Sequence, residues 1–101
     1  MGPLSSAVVR DISLSGVRCI TQEPLKPMAL VALRLVLPSG RPGEDAWDEV
    51  PCEGIVVRCH VLESGEESRY ESAILFKDLG PRERETIATF VDRRLGSRTG
   101  D

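Results

Sequence analysis

The residues best suited to chemistry lie near the N-terminus, in the hexapeptide from Asp11 to Gly16. Asp11 and Ser13 are two residues apart, so a strand places the carboxylate and the hydroxyl on the same side. A carboxylate accepts hydrogen bonds from a base edge or an arginine, a hydroxyl contacts a base or a phosphate, and glycine permits close approach of the backbone. A local interpretation stays open, in which Asp11 and Ser13 hydrogen-bond to the backbone of a turn that Gly16 closes.

Cysteine and histidine offer little further chemistry. The three cysteines are an odd number without Cys-x-x-Cys spacing, and His60 is the only histidine. This set does not complete a typical zinc site, so we predict no metal and interpret Cys19, Cys52 and Cys59 as reduced thiols of the core. No pairing of a nucleophile with a base and no phosphate-binding loop is recognisable, so we expect no enzymatic activity.

Alternating and valine-rich segments predict a series of short strands that must position the hexapeptide. The predicted strands are Ala7–Ser13, Gly16–Ile20, Ala29–Leu37, Glu53–Leu62 and Tyr70–Phe76. The first two flank a Ser/Gly turn, and the last two form a long hairpin around a turn centred on Gly65.

Two further features of these segments follow from their residue pattern. In the fourth strand, alternation places four residues on one face, namely Ile55, Val57, Cys59 and Val61. The segment 39–49 contains glycine, proline and several acids, so we interpret it as a polar loop that carries Trp47.

The last element changes to helical periodicity. Ile87, Phe90 and Val91 recur at helical spacing, Pro81 suits the first helical position, and Gly96 is a stop signal. We therefore predict one domain, residues 1–96, with a disordered tail at 97–101. Its predicted fold is mainly β: a small antiparallel β-barrel of five to six strands with a C-terminal α-helix.

Composition excludes several classes of protein. The 101 residues contain 13 Lys and Arg against 16 Asp and Glu, a net charge of −3, which argues against nonspecific nucleic-acid binding. The longest apolar stretch, Ala29–Leu37, is well below the roughly 20 residues of a membrane helix, and no secretory signal is visible. We expect a cytoplasmic protein without membrane insertion.

Taken together, the strand ending in Asp11-x-Ser13-x-x-Gly16, the strand that follows it, the long hairpin and the closing helix resemble the PilZ family. The similarity covers about Ala7 to Leu95, most of the chain. It implies a bacterial six-stranded barrel with a C-terminal helix, and many members of the family are cyclic di-GMP receptors that act on motility, exopolysaccharide or pilus machinery. By the same resemblance, Asp11, Ser13 and Gly16 form the second ligand-binding motif of the family.

The first motif of the family, Arg-x-x-x-Arg, does not occur at its usual place before the barrel. Arg10 is the sole basic residue among the ten residues that precede Asp11, so we assign it to a ligand phosphate and expect the arginine loop and the first strand to be missing. Loss of these arginines weakens the binding of a dianionic ligand, and an unpaired strand edge favours contact with a protein partner or a second copy.

The sequence therefore predicts a PilZ-like signalling module of the cyclic di-GMP pathway with no cofactor. We expect a degenerate member that acts through protein contacts, with weak or no nucleotide binding and with Trp47 as a candidate contact residue. The alternative is a genuine cyclic di-GMP receptor that uses Asp11-x-Ser13-x-x-Gly16 with arginines supplied by another segment or subunit.

Overall fold

Five strands and one helix make up the part of the chain that a computed structural model describes, residues 7–38, 46–63 and 68–99. They are β1 (Val8–Ile12), β2 (Gly16–Thr21), β3 (Leu30–Pro38), β4 (Trp47–Glu63), β5 (Arg69–Lys77) and α1 (Pro81–Thr99). The strands form one antiparallel sheet in the order β1-β2-β5-β4-β3. The sheet curls into a half-barrel, and the prediction of a mainly β fold with a C-terminal helix is confirmed.

The inner face of the sheet and one stripe of α1 form the core. Strands β2 and β5 alternate between buried and more exposed residues, with Val17 and Cys19 on the inner face of β2 and Ser72 and Ile74 on that of β5. From α1, Ile87 is fully buried, and Phe90 and Val91 pack against the same cluster. The helical spacing of these residues is thus explained by burial of one helix face.

Strand β4 changes its side-chain phase at a β-bulge, so the prediction that Ile55, Val57, Cys59 and Val61 share one face is wrong. The pairing with β5 shifts between Val56 and Arg58, and Val57 is the additional residue. Val56 is 0% exposed and Val57 is 44% exposed. Beyond the bulge, Cys59 lies opposite the buried Ser72, so odd-numbered residues face inward only after this point.

Strand β4 also begins earlier than predicted. It starts at Trp47, which pairs with Pro38 of β3, so Trp47 lies in a strand and not in the predicted loop. Pro51 obscures this part of the strand in the sequence, because proline weakens a strand assignment. Pairing of β4 with β5 begins only at Glu53, and a proline is tolerated where a strand is paired on one side.

The C-terminal helix is longer than predicted. It continues through Gly96 to Thr99, so the predicted helix end at Gly96 is wrong. A glycine inside a helix costs only about 1 kcal/mol, and no proline follows it. The remainder of the predicted tail, residues 100 and 101, lies outside the described residues, as do 39–45 of the predicted loop and 64–67 of the predicted turn.

The three cysteines are free thiols. Cys19 and Cys59 both lie in register with Ser72, on opposite sides of β5. Two interstrand spacings separate their Cα atoms by roughly 10 Å, beyond the ~7 Å limit for a disulfide. Burial raises the pKa of the Cys19 thiol, with smaller contributions from Cys59 and Glu71. Burial also raises the pKa of Cys52, and Glu83 adds to this shift.

We predict that native Cys19 reacts with iodoacetamide at mildly alkaline pH at least about tenfold more slowly than it does in the urea-unfolded chain. The thiolate is the reactive form, so a raised pKa lowers its fraction at a given pH, and burial limits access as well. Peptide mapping by mass spectrometry after timed alkylation measures both rates. Equal rates in the folded and unfolded chain would show that Cys19 is not a protected core thiol.

Candidate functional site

The turn between β1 and β2 brings the hexapeptide together. Asp11 lies in β1, Ser13 opens the turn, and Gly16 is the first residue of β2. The backbone N–H of Ser13 donates to the carbonyl oxygen of Gly16 at 2.9 Å, and that of Ser15 donates to Ser13 Oγ at 3.2 Å. Ser13 Oγ and Ser15 Oγ are also hydrogen-bonded, at 3.0 Å. The two serines therefore stabilise the turn locally, as serine hydroxyls commonly do.

Gly16 is required by the close approach of this turn to β5. It pairs with Leu75, and a Cβ atom at position 16 would overlap the carbonyl oxygen of Ile74. The backbone N–H of Phe76 also donates to the carbonyl oxygen of Ser15 at 2.9 Å. The glycine of the hexapeptide thus has a structural role, since it lets the turn pack directly on the strand beside it.

A pocket of about 210 Å³ opens beside this turn, where exposed residues of the outer face meet the core residues Ile12, Val17 and Ile74. The hexapeptide contributes polar groups to it, and β2, β4 and β5 contribute the remaining walls. Its lining includes Asp11, Ser13, Arg18, Val57, Ala73 and Leu75. An apolar surface beside a carboxylate, a hydroxyl and a guanidinium suits a flat ring with polar edges. We call it the motif pocket.

Arg18 is the charged residue of the motif pocket that sequence reasoning did not identify. It lies opposite Asp11 in the β1–β2 pairing, and its Nη2 is 3.4 Å from Asp11 Oδ2. Both side chains are about half exposed or more, so this ion pair contributes at most about 1 kcal/mol. The signal was present in the sequence, because a hairpin centred on Leu14 and Ser15 places residue 11 opposite residue 18.

Arg10 does not line the motif pocket with the other predicted residues. It occupies a register shift between Val9 and Asp11, and its Nη1 lies 3.8 Å from Glu71 Oε2. His60 Nε2 lies 3.6 Å from the other carboxylate oxygen of Glu71. The guanidinium of Arg10 therefore lies beside Glu71 of β5, outside the motif pocket.

Trp47 lies far from the motif pocket. It lies ten positions before Val57, the residue of β4 that lines the pocket, which is roughly 33 Å at strand spacing. Its side chain is 62% exposed.

A metal-binding cluster and a membrane-spanning helix are both absent from the described residues. Among them, no group of three or more His, Cys, Asp or Glu side chains could hold a metal ion. The helix of the described region is neither apolar enough nor long enough in its apolar part to cross a bilayer.

Comparison with known protein families identifies the family to which the chain belongs. The family model described as PilZ domain matches residues 2–93. The chain belongs to the PilZ domain family. No curated protein and no solved structure matches the chain. PilZ domains are receptor or adaptor modules without enzymatic activity, so this PilZ domain is a signalling module of the cyclic di-GMP pathway.

We predict that Gly16→Ala lowers the free energy of unfolding of this PilZ domain by about 1 to 3 kcal/mol. The added methyl group would force the turn away from the backbone of Ile74, and overpacking of this kind costs energy of that order. Urea denaturation measures the change. Leu14→Ala, in the exposed part of the same turn, is the control and should change stability little. Equal stability of Gly16→Ala and the parent would contradict the assigned packing role.

Proposed function

We propose that this PilZ domain acts in the cytoplasm as a receptor that binds cyclic di-GMP at the motif pocket. The observation that supports this proposal is the pocket itself, which joins Asp11 and Ser13 to an apolar wall formed by Val57 and Leu75. A guanine base offers a planar ring and a row of N–H donors on one edge. The ring fits the apolar wall, and the carboxylate of Asp11 accepts from the N–H groups.

The size of the motif pocket limits how much of the ligand it holds. Pockets that enclose a drug-sized ligand measure roughly 300–1,000 Å³. The motif pocket, at about 210 Å³, accommodates one base of cyclic di-GMP. The phosphates and the second base then lie on the open outer face of the sheet, where fewer contacts hold them.

We predict saturable, micromolar binding of cyclic di-GMP to the chain in a calorimetric titration, and at least about tenfold weaker binding for Asp11→Ala. Hydrogen bonds to a charged group contribute roughly 1.5–3 kcal/mol, and about 1.4 kcal/mol corresponds to tenfold in Kd. Asp92→Ala removes an exposed carboxylate from α1 and serves as the matched control, with an unchanged Kd. The absence of saturable binding at high micromolar ligand would exclude the receptor function.

A second candidate function is signalling through protein contact with weak or no nucleotide binding. It is favoured by an apolar row of three residues in register across β3, β4 and β5, namely Leu30, Ile55 and Leu75. Leu30 is 55% exposed and Leu75 is 49% exposed. Contiguous exposed apolar surface on a small protein marks contact sites.

Met28, two residues before this row, supports the same function. Its side chain is 79% exposed and its backbone has a φ of 72°, a conformation that costs a non-glycine residue roughly 1–2 kcal/mol. Backbone strain of this kind is concentrated at functional sites. Trp47, the exposed first residue of β4 on the outer face of the sheet, is a second candidate contact residue.

For this second function, we predict that a photo-crosslinking amino acid at position 30 captures one defined protein in bacterial cells that express the chain. The same group at position 84, an exposed position on α1, is the control and should capture none. A cross-linked band of twice the mass of the chain would identify the partner as a second copy. Identical products at positions 30 and 84 would contradict contact through the apolar row.

A further inference from the structure

Two arginines face each other across a small residue on the outer face of the sheet. Arg18 of β2 and Arg58 of β4 both lie in register with Ala73 of β5. The neighbours of Arg18 and of Ala73 along their strands are buried, so these side chains point away from the core. We call Arg18, Ala73 and Arg58 the arginine row.

The spacing of the arginine row suits a single anion. Two interstrand spacings separate the Cα atoms of Arg18 and Arg58 by roughly 10 Å. The methyl group of Ala73 leaves the space between them open, and both side chains are long enough to reach over it. A guanidinium presents a planar fork of N–H donors that matches the oxygens of a phosphate.

The arginine row begins within the motif pocket and continues beyond it. Arg18 and Ala73 line the pocket, and Val57, which precedes Arg58 in β4, lines it as well. A nucleotide whose base occupies the pocket therefore has the arginine row beside it, on the same face of the sheet.

The charges around the arginine row leave both guanidiniums available. Among the described residues, Arg18 is engaged only by the exposed, 3.4 Å ion pair with Asp11, which is readily exchanged for a stronger partner. Within the described part of the chain, Arg58 has no ion-pair partner. Glu71, two residues before Ala73 on the same face of β5, is already paired with Arg10 at 3.8 Å, which reduces its repulsion of an anion.

We infer that Arg18 and Arg58 form a phosphate subsite for the nucleotide whose base lies in the motif pocket. This inference rests on the proposed receptor function and adds to it the source of positive charge. The guanidiniums come from two strands of the barrel wall, within the same chain as the Asp11-x-Ser13-x-x-Gly16 motif.

The experiment compares the parent chain with Arg18→Gln, Arg58→Gln, Arg58→Lys and Arg34→Gln in calorimetric titrations with cyclic di-GMP at low and high salt. Arg34 is a matched control, because it is an exposed arginine on the outer face of β3 that pairs with Glu49 at 3.5 Å and does not line the pocket. Thermal unfolding of each variant establishes that it is folded.

We expect Arg18→Gln and Arg58→Gln each to raise Kd about tenfold or more and to weaken its salt dependence, because each removes a charged contact to phosphate. Arg58→Lys keeps the charge but loses the planar fork, so its Kd should fall between those of the parent and Arg58→Gln. Arg34→Gln should bind as the parent does.

Two outcomes would overturn the inference, and they are distinguishable. If the parent binds cyclic di-GMP and folded Arg18→Gln and Arg58→Gln bind equally well, the receptor function stands and the phosphate subsite is wrong. If the parent shows no saturable binding at all, the receptor function is wrong and the subsite is excluded with it.

Discussion

The close contact between Gly16 and the backbone of β5 is the constraint on which the rest of the site depends. Because a side chain at position 16 would overlap the Ile74 carbonyl oxygen, only glycine lets β2 begin directly beside β5. That pairing sets the register of β2 and so places Arg18 beside Ala73. Asp11 lies opposite Arg18 in the β1–β2 hairpin and is therefore positioned by the same register. The opposite side of β5 pairs with β4, so β5 joins the β1–β2 part of the sheet to the β4–β3 part.

Local patterns in the sequence were sufficient for much of this fold. The Ser/Gly turn, the alternation of Tyr70–Phe76 and the helical spacing after Pro81 predicted the first hairpin, β5 and α1, because each depends on residues close together in the chain. The bulge at Val57 was not predictable in this way, since it arises from the pairing of β4 with β5. Within the site, Asp11, Ser13 and Gly16 carried a recognisable motif, whereas the alignment of Arg18 with Arg58 requires the register of three strands.

The two faces of the sheet have different roles. The inner face, with Ile74 and Val56, buries apolar side chains under α1. The outer face holds both the motif pocket and the apolar row. Leu75 belongs to both, since it lines the pocket and lies in register with Ile55. An occupant of the pocket would therefore contact a side chain that a docked protein would also use.

The bulge at Val57 determines which residues in the second half of β4 face solvent. With Val57 in place, Arg58 lies opposite Ala73 on the outer face. If β4 paired with β5 without the bulge, Val57 would lie opposite Ala73, and Arg58 would lie opposite Ser72 on the inner face, across β5 from the buried Cys19. An unpaired guanidinium in that position would oppose folding. The bulge therefore keeps a guanidinium out of the core, and it makes the register of β4 that lacks the bulge an unfavourable alternative.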